Sequence, residues 1–248
     1  MRGPGMHNLD TLAVAIVFMA VYATASRLYP IQNRFNHGWL SLGAGVSVAY
    51  VFLDILPELG LHQEKVLLHA MDEPVFATEK LIYIFALIGF VFFYGVENIV
   101  LASSAENPHN GHGGSGPAFW IEIAGFALYS WLIGYLLVEI GEEGERSLAL
   151  YAAAMGLHLM VVGHTLVGEH GKAYDRWAWW ILGASVVSGW LLASTMPMSH
   201  HLISRVFAFV AGGVVMTSMH EELPGAENGR FWWFIGGSGI YAIILLLV

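Results

Sequence analysis

The sequence predicts an all-α polytopic membrane protein, with eight transmembrane helices in a single bundle over residues 1–248. Three observations predict it. The residues are 56% hydrophobic and only 12% charged, against about 25% charged in soluble domains, and the mean hydropathy is +0.61. Apolar runs of membrane-crossing length recur from end to end. One apolar stretch also occurs twice: AGVSVAYVFLDILP (Ala44 to Pro57) returns as AGGVVMTSMHEELP (Ala211 to Pro224). Ala44/Ala211, Gly45/Gly212, Val48/Val215, Leu56/Leu223 and Pro57/Pro224 coincide without a gap, and Asp54 falls on Glu221.

In chain order, the polar start Met1 to Asp10 leads into a run from Thr11 to about Tyr29. It carries little positive charge before it and is long enough to cross about 30 Å of hydrocarbon, so it reads as a span rather than a signal peptide. Further runs lie at about 39–57, 81–101, 118–139, 148–167, 177–196, 203–223 and 231–248. Trp39, Trp120, Trp177, Trp179, Trp180, Trp232 and Trp233 stand at the starts of runs, where an amphipathic ring favours the headgroup boundary. The links are short and polar. Ala105 to Pro117, AENPHNGHGGSGP, is the low-complexity one and reads as a solvated linker that carries His109 and His112.

Composition narrows the partners. A net charge of −9 with ten Lys and Arg leaves no basic surface for nucleic acid or anionic lipid. The lipid bilayer is the expected surrounding, in a multi-pass arrangement and in the plasma (inner) membrane, with a homodimer as the expected assembly. Without cysteine, a metal must be held by imidazole, carboxylate, thioether or carbonyl groups. The basic residues divide equally between the two faces of an eight-span chain, so the positive-inside rule selects no orientation.

The repeat occupies the second and seventh runs, and these cross in opposite directions. Helices 1–3 and 6–8, about 11–101 and 177–248, then form an inverted repeat, an arrangement used by secondary transporters with a site between the halves. The competing explanation is an old duplication kept for close packing through its small residues. Each copy nevertheless carries an acid, which is costly in lipid and superfluous in an anchor. Tyr50, Asp54 and Glu58 share one helix face by i, i+4, i+8 spacing, as do Thr217 and Glu221 with His220 beside them. Pro57 and Pro224 would leave the carbonyls of Leu53 and His220 without their helical donors. Carboxylate, imidazole and carbonyl at one depth suit Zn²⁺, Mn²⁺ or Fe²⁺. Glu58 and Glu222 read as helix-end residues.

The stretch SLGAGVSVAYVFLDILPEL (Ser41 to Leu59) resembles the second transmembrane segment of the ZIP (Zrt/Irt-like) divalent-metal transporters, and the acid followed by LP in the seventh run is similar to that family's seventh segment. The resemblance implies eight helices, inverted triplets and divalent cation transport by alternating access. The chain departs from the family in the fourth and fifth runs. Where the family carries a motif like HNxxDG, ALYSWLIG (Ala127 to Gly134) has Tyr129, Ser130 and Ile133, and only Gly134 matches. Where it carries HExPHE, GLHLMVVG (Gly156 to Gly163) keeps His158 but has Leu159 in place of the acid. The resemblance thus implies that the two-metal centre is absent or rebuilt from other residues.

Asp54, His158, His220 and Glu221 form the expected metal set, with Glu97 and Asn98 as further candidates. His158 and His164 are six residues apart, which at about 100° per residue puts them on different faces of their helix. His164, Glu169 and His170 read as solvated helix-end residues. A divalent metal is expected as the substrate, with no catalytic cofactor. Two other classes compete. A non-transporting sensor or subunit would keep the bundle and lose the ligands. A zinc hydrolase would need HExxH, and HEELP (His220 to Pro224) lacks the second histidine, so the chain is not expected to be an enzyme.

Overall fold

A computed structural model of the chain describes residues 4–34, 38–69, 80–106, 116–196, 199–220 and 231–247. Every regular element in it is helical. In chain order these are α1 (Pro4–Arg34), α2 (Gly38–Tyr50), a π-helical turn (Val51–Ile55), α3 (Leu56–His69), α4 (Leu81–Glu106), α5 (Pro117–Glu143), α6 (Glu145–His170), a second π-helical turn (Tyr174–Ala178), α7 (Trp179–Thr195), α8 (His200–His220) and α9 (Phe231–Leu247). Most of the linker from Ala105 to Pro117, with His109 and His112, lies outside the described residues.

Seven helical stretches among the described residues are long and apolar enough to cross a membrane, from Leu9–Tyr29 to Leu202–Met219. This is the build of a multi-pass helical membrane protein. The eighth expected span corresponds to α9, an apolar helix of 17 residues. At 1.5 Å per residue it is about 26 Å long, near the lower limit for a span.

The second run is longer than the sequence suggests. It was expected to stop at Pro57, yet helix continues through it to His69. A proline ring in a helix collides with the carbonyl four residues back and removes one hydrogen bond. The backbone responds with the wider π turn directly before the proline, where Leu56 N–H bonds the Val51 carbonyl. The extension has a purpose in packing: the side-chain oxygen of Gln63 on α3 accepts the backbone N–H of Ile82 at 3.1 Å, satisfying one of the donors that the start of α4 leaves open.

α5 lies at the centre of the bundle, 67% buried over its spanning window, whereas α4 is 22% buried and turns most of its surface outward. That surface carries exposed Leu87, Ile88 and Val91, as expected of a lipid-facing helix. α5 and α6 are joined by Gly144 alone, at φ 131°, a backbone conformation that favours glycine.

Three helix pairs cross at glycines in one recurring geometry. A Cβ on Gly45 of α2 would overlap the carbonyl oxygen of Phe234 of α9, and one on Gly237 would overlap that of Leu42. Gly212 of α8 and Gly89 of α4 stand in the same relation to the carbonyls of Ala86 and Phe209. Gly134 of α5 and Gly189 of α7 repeat it against Val186 and Trp131. In all three pairs each glycine faces the carbonyl three residues before its partner glycine. Such backbone contact allows Cα–H···O interactions and is the basis of small-residue packing between helices in lipid.

Candidate functional site

His158 on α6 is 1% exposed, and side chains from three other helices close around it. Its Nε2 lies 3.0 Å from the hydroxyl of Tyr129 on α5 and 3.5 Å from that of Thr217 on α8. Its Nδ1 lies 3.3 Å from Ser47 Oγ on α2, and Ser47 is 3.2 Å from Ser218 Oγ on α8. Thr217 donates its own hydrogen to the Gly213 carbonyl at 3.0 Å, so its oxygen has no further hydrogen to give Nε2. One assignment uses each hydrogen once: Tyr129 donates to Nε2, Nδ1–H donates to Ser47, and Ser47 donates to Ser218. It describes an imidazole held by hydroxyls at both ring nitrogens. Its cost of burial is thereby offset.

Asp54 is held elsewhere. It lies in the first π turn, half-buried, and accepts the phenolic hydrogen of Tyr241 on α9 at 2.7 Å. It lines a cavity of about 250 Å³ together with Tyr50, Glu58, His62, Glu139 and Tyr151. The expected face of Tyr50, Asp54 and Glu58 is therefore present, and His62 continues it. Glu58 is not a helix-end residue as the sequence suggested: it sits inside the continued helix, its Oε1 3.7 Å from Nε2 of His62. Nδ1 of His62 is in turn 2.9 Å from Ser204 Oγ on α8.

The cavity collects negative charge. Asp54 and Glu58 come from the second run and Glu139 from the end of α5. Tyr151, 4% exposed, also lines it, and among the described residues its hydroxyl is the buried side-chain polar atom that has no hydrogen-bond partner. A buried hydroxyl without a partner costs about 1–3 kcal/mol, and a polar guest in the cavity would remove that cost. Carboxylates, an imidazole and phenols form a donor set suited to hard or borderline divalent cations.

Of the expected metal set, Asp54 and His158 can be placed, and they stand apart. Asp54 faces the cavity and His158 the hydroxyl cluster; Ser47 and Asp54, seven positions apart on one rod, are separated by about 10 Å along it. The side chain of His220 and the whole of Glu221 lie outside the described residues. Asn98 is exposed and donates to the Tyr94 carbonyl of its own helix at 2.9 Å. His164 is half-buried and packs on Tyr29, with ring centroids 4.6 Å apart. His170, expected to be solvated, is buried, because α5 and Phe119 cover the end of α6. Ser47, Tyr129, His62, Glu139 and Tyr151 were missed. For His62 the i+12 continuation of the acid face was a signal; scattered hydroxyls in an apolar run carry none.

Compared with protein families, curated proteins and solved structures, the chain matches none of them.

Proposed function

We propose that the protein is a divalent transition-metal cation transporter of ZIP-like architecture, working by alternating access. The observation that carries this reading is the cavity bearing Asp54, Glu58 and Glu139. Three carboxyl groups that line one space within a bundle of membrane-crossing helices offer a divalent cation a ready donor set. The acid of the first repeat copy thus stands where a substrate ion would be received.

The glycine crossings support two related halves. In the gap-free match of the sequence repeat, Leu42 and Gly45 fall on Phe209 and Gly212. Matching Ala86 and Gly89 to Phe234 and Gly237 in the same way turns the α2–α9 crossing into the α8–α4 crossing, contact for contact. With α9 counted as a crossing helix, helices 1–3 and 6–8 form an inverted pair. Such halves rock against one another in many secondary transporters.

The hydroxyl shell of His158 favours a second reading, a non-transporting metal sensor or subunit. Its described partners are neutral, and neutral hydroxyls are poor ligands for a transition metal. Proteoliposomes loaded with a metal-sensitive dye separate the two. Transport requires saturable uptake of Zn²⁺, Mn²⁺ or Fe²⁺ that Asp54→Ala reduces at least about tenfold, as loss of a metal-site group does. Metal binding without uptake would instead identify the sensor.

A further inference from the structure

A second group of metal-ligating side chains lies at the opposite end of the α5–α6 hairpin from the Asp54 cavity. Glu122 stands early in α5 and is 2% exposed; His170 is the last residue of α6 and is also buried. Because the two helices are joined at Gly144, the start of one meets the end of the other. His170 Nε2 is 2.6 Å from Glu122 Oε2. Phe119, itself buried, meets the imidazole edge-on at 4.9 Å and 80°, which restricts the ring to this orientation. Glu169 completes the group from the exposed side, and one ligand atom from each of the three residues lies within 4.8 Å of the others.

The charges here do not cancel. Among the described residues no Lys or Arg pairs with Glu122 or Glu169; Arg176, a few residues on, lies over the Trp177 ring instead, 5.2 Å from its centroid. A single imidazole cannot balance two carboxylates. A divalent cation can, and a nitrogen with two carboxylate oxygens is the donor set of an open zinc-type site.

We propose that Glu122, Glu169 and His170 bind a borderline divalent metal ion of the zinc class. A tetrahedral zinc-type ion wants its ligand atoms about 3.3 Å apart. Glu122 and His170 are already closer than that, and the outer ligand, Glu169, shares a hydrogen bond with Glu122 that a metal ion would replace. Three protein ligands leave a fourth position for water, so the ion exchanges with solvent. The site lies about 18 Å along α6 from His158, and its existence does not depend on transport.

The test is a Co²⁺ titration of the purified, metal-stripped full chain, followed by visible d–d absorption and by Zn²⁺ competition. A saturable tetrahedral band is expected. Glu169→Gln, which leaves the Glu122–His170 contact in place, should weaken Co²⁺ and Zn²⁺ at least about tenfold. His170→Gln should abolish the band, and Asp54→Asn should leave it unchanged. The proposal is overturned if the folded parent gives no band, or if Glu169→Gln keeps the parent affinity; should His170→Gln fail to fold, Glu169→Gln decides alone. Metal uptake by a parent that gives no such band would sink this site and leave the transport reading standing, whereas a band without uptake would do the reverse.

Discussion

Tyr241 donates its phenolic hydrogen to Oδ2 of Asp54 at 2.7 Å, across 187 positions of sequence. The bond ties α9 to the π turn before Pro57 and occupies one lone pair of the acid that faces the cavity. A cation arriving at Asp54 must share the carboxylate with this donor. Tyr241→Phe is therefore expected to lower stability by about 1–2 kcal/mol and to raise the affinity of the cavity for a divalent ion. Denaturant unfolding in detergent and calorimetry read the two effects separately. A fall in both would mean that Tyr241 is a ligand rather than a competitor.

The hydroxyl shell of His158 makes a different demand. Removing one hydroxyl takes a hydrogen-bond partner from a buried ring nitrogen, so Tyr129→Phe and Ser47→Ala should each cost about 1–2 kcal/mol. The two act on opposite nitrogens of one ring, and a double-mutant cycle should give a coupling of about 0.5 kcal/mol or more. Additive effects would mean that the two hydroxyls do not act through a shared imidazole.

Much of the fold was legible because hydropathy and tryptophan placement report directly on lipid. Trp120, Trp180, Trp232 and Trp233 stand near helix starts and remain exposed, as boundary residues should. Part of the site was legible as well: helical spacing predicted that Tyr50, Asp54 and Glu58 would share a face, and the π turn did not break it. The rest depends on contacts between distant helices. Glu122 and Glu139 sit near the ends of an apolar run, where an acid looks like an interfacial residue, and nothing in WIEIAGF or LLVEIGEE reveals a neighbour. His170 looked solvated because its cover comes from α5, whose packing on α6 has no signature in either helix alone. Proline signalled a helix end at Pro57, and the backbone absorbed it by widening one turn.

The glycine crossings can be tested by adding one methyl group. In Gly45→Ala and Gly212→Ala the new Cβ would overlap a partner carbonyl, forcing two helices apart. Each should destabilise by about 1–3 kcal/mol, the usual cost of overpacking. Gly95→Ala is the control, since a Cβ there meets nothing within 4 Å and alanine is the better helix former. If the two halves are equivalent, the Gly45 and Gly212 variants should lose similar amounts. A large loss in one and none in the other would leave the repeat as a sequence relic without a shared packing role.

The last prediction concerns the direction of the chain, on which alternating access by inverted halves depends. α9 contains 17 residues and, at about 26 Å, is a few ångström shorter than an average hydrocarbon core; bilayers thin locally to accept short helices at modest cost. If it crosses, the number of spans is eight and both termini face the same side. The sequence has no cysteine, so one can be added before Met1 in one variant and after Val248 in another. In sealed, oriented vesicles a thiol reagent that cannot enter lipid should label both from the same side, and neither from the other until the membrane is permeabilised. A third variant, Lys172→Cys beyond the end of α6, should label from the opposite side to Glu142→Cys near the end of α5; both residues are exposed. Termini labelled from opposite sides would mean that α9 lies along the surface. Helices 1–3 would then have no complete inverted counterpart, and the matching glycine crossings would need another cause.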